Sequence, residues 1–148
     1  MSKKNIIFIC HGSICRSPIA LFVFLDEITK RGLLEEYDVS SAAVSYEEEG
    51  NDIDSRAKHQ LDKNHIPYAF HPAHRITLDE FRKADHIYVM DMSNIYYLKR
   101  LFNGEDFTKV KLLNDPYEIS DPWYTHNFDL AFKEIKDSIV RLLDEDLL

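Results

Sequence analysis

Short apolar runs alternate with amphipathic segments along almost the whole chain, and this alternation limits the fold more than any other feature. Runs rich in branched aliphatic residues predict strands over residues 5–9, 37–44, 86–90 and 109–113. Helical patterns follow them, over residues 18–31, 54–64, 77–84 and 93–102 and in a final helix that contains residues 128–142. Strands that alternate with helices form a parallel sheet with helices on both faces. We therefore predict an α/β protein with a four-stranded parallel sheet, a flavodoxin-like three-layer sandwich, and a single domain over residues 1–148.

Residues with strong capping preferences set the expected ends of two helices. Pro18 suits the first turn of the first helix, Ser17 is expected to cap it, and Gly32 is expected to end it. Thr77 is expected to cap the third helix. These ends leave residues 10–16 as the turn between the first strand and the first helix.

The net charge and the composition argue against several classes of binding partner and cellular location. The chain has 148 residues, 45% of them hydrophobic and 30% charged, with a net charge of −8. Phosphate groups repel an acidic surface, so we expect no nucleic-acid partner. The apolar runs are too short to span a membrane, and the first residues lack the pattern of a signal peptide. With only two cysteines, we expect free thiols and a cytoplasmic location, while the oligomeric state is left open.

Both cysteines lie in the turn CHGSICRSP, directly after the first predicted strand. Ligands of open α/β sheets bind at the carboxyl ends of the strands, where this turn lies. The five residues between Cys10 and Arg16 can wrap their N–H groups around a tetrahedral anion, and Arg16 offers a planar fork to two of its oxygens. The positive end of the following helix favours the thiolate of Cys10, towards which Ser17 can point its hydroxyl. A lone cysteine is often only a small buried residue, but this combination predicts a phosphate-binding nucleophile.

The sequence resembles the low-molecular-weight protein tyrosine phosphatases, whose signature is Cys-x5-Arg-Ser near the N terminus. Further segments match the family in order and spacing: SSAAVS at 40–45, HPAHRIT at 71–77, ADHIYVMDMSN at 84–94 and DPWY at 121–124. The resemblance implies a hydrolase that acts on a phosphotyrosine-containing protein or a small aryl phosphate and needs no metal and no cofactor. It also implies a phosphate-binding loop that includes His11, Gly12, Ser13, Ile14, Cys15 and Ser17.

The family's general acid is an aspartate in an Asp-Pro-aromatic-aromatic segment late in the chain. DPWY matches this segment, so we predict Asp121, whereas Asp115 in NDPYE is typical of a simple turn. In the implied mechanism Cys10 attacks phosphorus to form a phosphocysteine while Asp121 protonates the leaving oxygen. Asp121 then activates the water that releases phosphate, and Arg16 stabilises the charge in both steps.

Cys15 has two open interpretations. The resemblance implies a redox partner, which traps oxidised Cys10 as a reversible disulfide and so avoids over-oxidation of the reactive thiolate. The alternative is a small packing residue with no chemical role.

Two residues depart from the family's usual loop. Ser13 stands where asparagine is usual, and serine suits a left-handed backbone less well. We therefore expect a loop that is less rigid when empty, with Ser17, Ser41 and His71 in support. His11 stands where an apolar residue is common, and it either faces solvent or leans on the thiolate.

The residues around the loop bear on the substrate. Ile14 resembles the tyrosine-directed members of the family, because relatives that act on phosphoarginine tend to carry threonine there. We expect Trp123, Tyr124 and Tyr46 to flank the aryl ring of the substrate. The acidic run 47–49 is either a solvated loop or a border of the site, where it would disfavour acidic peptides.

The loop also allows other functions. An arsenate reductase with a similar loop needs further cysteines, and a phosphotransfer subunit lacks the arginine, so Arg16 argues against it. A pseudophosphatase that binds phosphotyrosine or another anion stays open because of Ser13 and His11. The pair His71-x-x-His74 contains a proline and has no acidic or thiol partner at ligand spacing, which argues against a metal site.

Overall fold

A computed structural model describes residues 3–146 and residue 148, and a four-stranded sheet forms its centre. The strands are β1 (Lys4–Cys10), β2 (Tyr37–Ala43), β3 (His86–Val89) and β4 (Val110–Leu112). Their order across the sheet is β2-β1-β3-β4, and every neighbouring pair is parallel. The predicted α/β fold with a four-stranded parallel sheet is therefore confirmed.

Six α-helices connect and cover the strands in the described part of the chain. They are α1 (Arg16–Lys30), α2 (Ser55–Lys63), α3 (Leu78–Lys83), α4 (Met92–Leu101), α5 (Pro122–Thr125) and α6 (Phe128–Asp144), with a 3-10 turn at Leu34–Glu36. The sequence predicted all of them except α5 and the 3-10 turn, which are too short to show a helical period. Within residues 3–146 and 148, no helix has the length and apolarity needed to cross a membrane.

The sheet separates two hydrophobic clusters because successive side chains of a strand point to opposite faces. From β1, Ile6 and Phe8 enter one cluster, which also contains apolar residues of α1, α2 and α6. Ile7 and Ile9 enter the other, together with Phe81 of α3 and Leu98 of α4. Both faces of β1 are thus covered, which explains its continuous apolar run.

Two predicted helix ends agree with the structure and one does not. Gly32 adopts a φ of 72° just after α1, and Thr77 forms a capping box with Glu80 at the start of α3. The prediction that Ser17 caps α1 is wrong, because the helix begins at Arg16 and Cys15 occupies the capping position without a side-chain cap bond. The Ser17 hydroxyl lies instead against the sulfur of Cys10.

Candidate active site

The turn after β1 folds around the sulfur of Cys10. The Ser13 N–H donates to Cys10 Sγ at 3.2 Å, and Ser17 Oγ lies 3.2 Å from the same sulfur. If Cys10 is a thiolate, the Ser17 hydroxyl is the only possible donor of that second contact. Both cysteines are free thiols. The loop therefore holds the sulfur of Cys10 between the Ser13 N–H and the Ser17 hydroxyl.

A chain of hydroxyl groups extends from this sulfur into the interior. Ser13 Oγ lies 2.9 Å from Ser17 Oγ and 3.3 Å from Ser41 Oγ. Ser41 Oγ in turn lies 2.7 Å from Nε2 of His71. Ser13, Ser17 and Ser41 are each at most 2% exposed. The structure thus brings together the residues that the sequence singled out as support for the loop.

The charge state of His71 sets the direction in which the hydrogen bonds between these hydroxyl groups donate. Burial lowers the pKa of His71 below its usual value, so the ring is neutral at neutral pH. When Nε2 carries the single ring hydrogen, it donates to Ser41, and each following hydroxyl can donate towards Cys10. His71 Nδ1 is buried and has no hydrogen-bond partner among the described residues, which suits an acceptor nitrogen better than a charged N–H.

The backbone of Ser13 explains how the loop reverses direction. Its φ is 60°, in the left-handed region that most residues avoid. Serine has no amide to bond across the loop as asparagine would, but its hydroxyl joins the chain between Ser17 and Ser41. The left-handed backbone expected at this position is therefore present, with a hydroxyl network in place of an amide.

Arg16 is buried beside two carboxylates at the edge of the same loop. Its side chain is 3% exposed, and Nη1 donates to the carbonyl of Ile119 at 2.9 Å. Nη2 lies 3.0 Å from Oδ2 of Asp91 and 3.3 Å from Oδ2 of Asp121. A buried guanidinium needs such partners because removing it from water is costly.

Asp91 follows β3 and caps helix α4. Burial would raise the pKa of Asp91, but the hydrogen bond from Ser93 and the charge of Arg16 together hold it below its usual value. Asp91 is therefore an anion that orients Arg16. Sequence reasoning missed this role, although the position of Asp91 just beyond the carboxyl end of β3 was a usable signal.

Asp121 and Asp115 have different surroundings, although each precedes a proline. Asp121 caps α5, accepts from the Trp123 N–H at 3.0 Å through Oδ1, and lines the cavity above Cys10. Asp115 is exposed in a tight turn, where Asn114 and Tyr117 form an isolated bridge. In the described part of the chain, Asp115 does not line that cavity.

A cavity of about 610 Å³ opens over the loop. The loop residues 10–16 form its floor, and Asp121, Trp123 and Tyr124 form one wall. Trp123 and Tyr124 are 53% and 79% exposed, so both rings stand at the mouth. The remaining lining residues are Glu47, Glu48, Asp91, Ser93 and Tyr97. Sequence reasoning missed Tyr97, whose only signal was its place in the helix after β3.

Tyr46 was expected beside the substrate, but it does not line this cavity in the described structure. Its ring is covered by the guanidinium of Arg75, whose central carbon lies 3.8 Å from the ring centroid. The cation attracts the π face of the ring, while the rest of the Tyr46 side chain is exposed. Glu47 lines the cavity in its place.

The His11 side chain is 35% exposed and contacts two neighbours at the border of the cavity. Its Nε2 lies 3.1 Å from Oε2 of Glu47, and its ring meets Tyr97 edge to face at a centroid distance of 5.5 Å. The acidic run therefore borders the site through Glu47 and Glu48, whereas Glu49 accepts from the Arg75 N–H at 3.0 Å.

Cys15 is 7% exposed at the start of α1. Burial raises the pKa of the Cys15 thiol, and the nearby Asp54 carboxylate raises it further. Cys15 is thus protonated at neutral pH, and its disulfide with Cys10 stays a prediction.

The two imidazoles of the His-x-x-His pair have separate partners. His71 contacts Ser41, and Nε2 of His74 lies 2.8 Å from Oε2 of Glu80. Among residues 3–146 and 148, no group of three or more His, Cys, Asp or Glu side chains is arranged to hold a metal ion.

Comparison with known proteins matches this site and fold to one family. The family model described as low molecular weight phosphotyrosine protein phosphatase matches residues 5–147. The human protein of that name is 37% identical over 147 residues, which cover 95% of this chain and 91% of the human one.

Solved structures show the same relationship. The structure of YfkJ from Bacillus subtilis has a TM-score of 0.93 and 28% identity, covering 98% of this chain and 95% of that one. The low molecular weight protein tyrosine phosphatase from Streptococcus pyogenes, SP-PTP, has a TM-score of 0.89 and 29% identity, covering 96% of this chain and 92% of that one. The chain belongs to the low molecular weight phosphotyrosine protein phosphatase family.

Proposed function

We propose that this chain hydrolyses phosphotyrosine and related aryl phosphate monoesters, with Cys10 as nucleophile, Arg16 as phosphate clamp and Asp121 as general acid and base. One observation carries the proposal: these three side chains converge on a single cavity from distant parts of the chain. Membership of the family supports the same reaction class.

In the first step the Cys10 thiolate attacks phosphorus in line with the leaving oxygen. The S–P bond forms as the P–O bond to the aryl group breaks, and Asp121 gives its proton to that oxygen. The loop N–H groups and Arg16 stabilise the negative charge on the other phosphoryl oxygens. The Ser13 N–H and the Ser17 hydroxyl, each 3.2 Å from the sulfur, stabilise the attacking thiolate.

In the second step water displaces the sulfur. Asp121, now ionised, takes a proton from the water as its oxygen attacks phosphorus, and the S–P bond breaks. The leaving group is the Cys10 thiolate, which the hydroxyl chain from Ser17 to His71 stabilises. Phosphate then departs and Asp121 is again protonated.

The residues that line the cavity favour a phosphotyrosine side chain within a polypeptide as substrate. Trp123 and Tyr124 stand at the mouth, where they can flank an aromatic ring, and Tyr97 faces the site from α4. Glu47 and Glu48 also line the cavity and add negative charge there. We therefore propose that substrates with acidic residues next to the phosphotyrosine are disfavoured.

Hydrolysis of para-nitrophenyl phosphate tests the function. We expect the wild type to release phosphate, and Cys10→Ser and Arg16→Ala to release none. Acid quenching during turnover should trap a phosphoprotein in the wild type but not in Cys10→Ser. Tight phosphate binding without turnover would support the pseudophosphatase instead. Oxidation of Cys10 and Cys15 by arsenate would support the reductase.

We also propose that residues 1–148 form one domain in a cytoplasmic protein. The family model spans residues 5–147, which supports one domain. The two free thiols support a reducing compartment. The absence of a nucleic-acid partner stays a prediction from the net charge of −8.

A further inference from the structure

The segment that carries the general acid has few backbone anchors. The N–H groups of Tyr124 and Thr125 both donate to the Asp121 carbonyl at 3.1 Å, and the His126 N–H donates to the Pro122 carbonyl at 2.9 Å. In the described structure, no backbone hydrogen bond joins residues 121–126 to the sheet or to the phosphate-binding loop. Side chains must therefore fix the place of this segment.

Arg56, in the first turn of α2, contacts this segment from outside the cavity. Its central guanidinium carbon lies 5.7 Å from the ring centroid of Trp123 and 4.8 Å from that of Phe128. The two rings belong to α5 and to the first residue of α6. One guanidinium therefore joins α5 to the start of α6, on the carboxyl side of Asp121, by cation–π contact.

Asp54 holds this guanidinium in a fixed orientation. Nε and Nη2 of Arg56 donate to the two carboxylate oxygens of Asp54 at 3.0 and 3.1 Å. Such a fork leaves the flat face of the guanidinium free to lie over the aromatic rings. Asp54 also caps α2, because Oδ1 accepts from the Arg56 N–H at 2.9 Å.

The same aspartate is attached to the phosphate-binding loop. The Asp54 N–H donates to the carbonyl of Ile14 at 2.9 Å. On the other side, the Trp123 N–H donates to Oδ1 of Asp121 at 3.0 Å. A continuous set of contacts thus leads from the loop that binds phosphate, through Asp54, Arg56 and Trp123, to the acid.

We propose that Arg56 is a positioning residue that fixes Trp123, and through it the Asp121 carboxyl, relative to the phosphate-binding loop. The inference rests on the proposed role of Asp121 as general acid. Without Arg56, Cys10 keeps its contacts with Ser13 and Ser17, and Arg16 keeps its ion pair with Asp91. The turn at 121–126 loses a restraint, and the 3.3 Å contact between Asp121 and Arg16 has to hold the acid without it. Proton delivery to the leaving oxygen should therefore suffer more than attack on phosphorus.

The choice of leaving group separates these two effects. Phenolate needs a proton to leave, whereas para-nitrophenolate leaves readily without one. We expect Arg56→Ala to lower kcat/KM for phenyl phosphate by about tenfold and for para-nitrophenyl phosphate by about twofold. Arg56→Lys keeps a cation near Trp123 but loses the fork. We therefore expect its ratio of kcat/KM for para-nitrophenyl phosphate to kcat/KM for phenyl phosphate, the leaving-group ratio, to lie between those of the wild type and the alanine variant.

Trp123 supplies a second readout that does not depend on turnover. It is the single tryptophan of the chain, which also has 8 tyrosines, so fluorescence excited selectively in tryptophan reports the surroundings of Trp123 alone. We expect Arg56→Ala to increase the quenching of this fluorescence by acrylamide. Asp54→Asn should change it in the same direction, because the guanidinium loses its charged partner. This variant also serves if Arg56→Ala does not fold.

Lys63→Ala is the matched control on the same helix. Lys63 Nζ contacts Asp129 Oδ1 at 2.6 Å, so this variant removes a link between α2 and α6 without touching Trp123. Both the leaving-group ratio and the quenching should stay at wild-type values. An equal loss for both substrates in Arg56→Ala, with unchanged quenching, would overturn the positioning role. Absence of turnover in the wild type would instead overturn the proposed function, whatever the fluorescence shows.

Discussion

The carboxylate of Asp121 lies 3.3 Å from the guanidinium of Arg16, although the two residues are 105 positions apart in the chain. The group proposed to deliver a proton is therefore in contact with the group proposed to hold the phosphate. Arg16 also contacts Asp91 at 3.0 Å, so one buried cation has two anionic neighbours. A phosphoryl group that enters the loop competes for the same guanidinium, which couples substrate binding to the position of the acid.

The identity of the acid is open to a direct test. An enzyme that needs protonated Asp121 loses kcat/KM as pH rises, and Asp121→Asn should abolish this decline and lower kcat/KM for phenyl phosphate by about 100-fold or more. Asp115→Asn is the control, because Asp115 is exposed in a turn away from the cavity. A pH–rate profile in which Asp115→Asn removes the decline would identify Asp115, and not Asp121, as the general acid.

Position 13 combines a left-handed backbone with a hydroxyl in the buried chain. Ser13→Ala keeps the backbone strain and breaks the contacts to Ser17 and Ser41, so we expect a loss of about 1 kcal/mol of unfolding free energy and a lower kcat/KM. Ser13→Asn relieves the strain, since asparagine tolerates a φ of 60° better, and should raise kcat/KM. Denaturant unfolding and aryl phosphate kinetics measure both effects. Equal or lower activity in Ser13→Asn would argue against the rigidity of the loop as the limiting factor.

His71 should make folding stability depend on pH. Its pKa is lowered by burial in the folded chain, whereas the unfolded value is close to 6.5. The unfolded chain therefore binds more protons below that pH, so the free energy of unfolding falls as pH falls through 6.5. In His71→Gln this dependence should become shallower. Denaturation series above and below this pH measure the slope, and an unaltered slope in His71→Gln would contradict the assignment. Some slope will persist, because burial also lowers the pKa of His86.

The acidic border of the cavity should discriminate between phosphopeptides. Glu47 is exposed and screened, so we expect a preference of about threefold in kcat/KM for a peptide with basic rather than acidic residues beside phosphotyrosine. Glu47→Gln should reduce this preference and Glu47→Lys should reverse it. Glu49→Gln is the matched control, because Glu49 bonds to the backbone of Arg75 and does not line the cavity in the described structure. If Glu47→Lys had the same kcat/KM for the acidic and the basic peptide, this role of Glu47 would be contradicted.

Short stretches of sequence were enough to predict most of the fold and the loop at the centre of the site. The apolar run of β1 and the turn from Cys10 to Arg16 depend on neighbours in the chain, so their pattern is visible without the structure. Capping residues such as Thr77 were equally visible, because a cap acts on residues within one turn. The short helix α5 was not, since its four residues cannot show a period.

The parallel α/β sheet and the thiol-bearing loop at the end of β1 could be predicted without the structure, because strand period, helix period and turn chemistry depend on residues close together in the chain. The contacts between distant side chains at the site became visible only in the folded chain: Asp91 and Asp121 contact Arg16, Glu47 contacts His11, and, outside the cavity, Arg56 contacts Trp123. The fold also places Tyr46 against Arg75 and not in the lining of the cavity within the described residues. Such contacts depend on the paths of separate connections between strands, and a shift of one residue along a loop changes which side chain reaches the cavity.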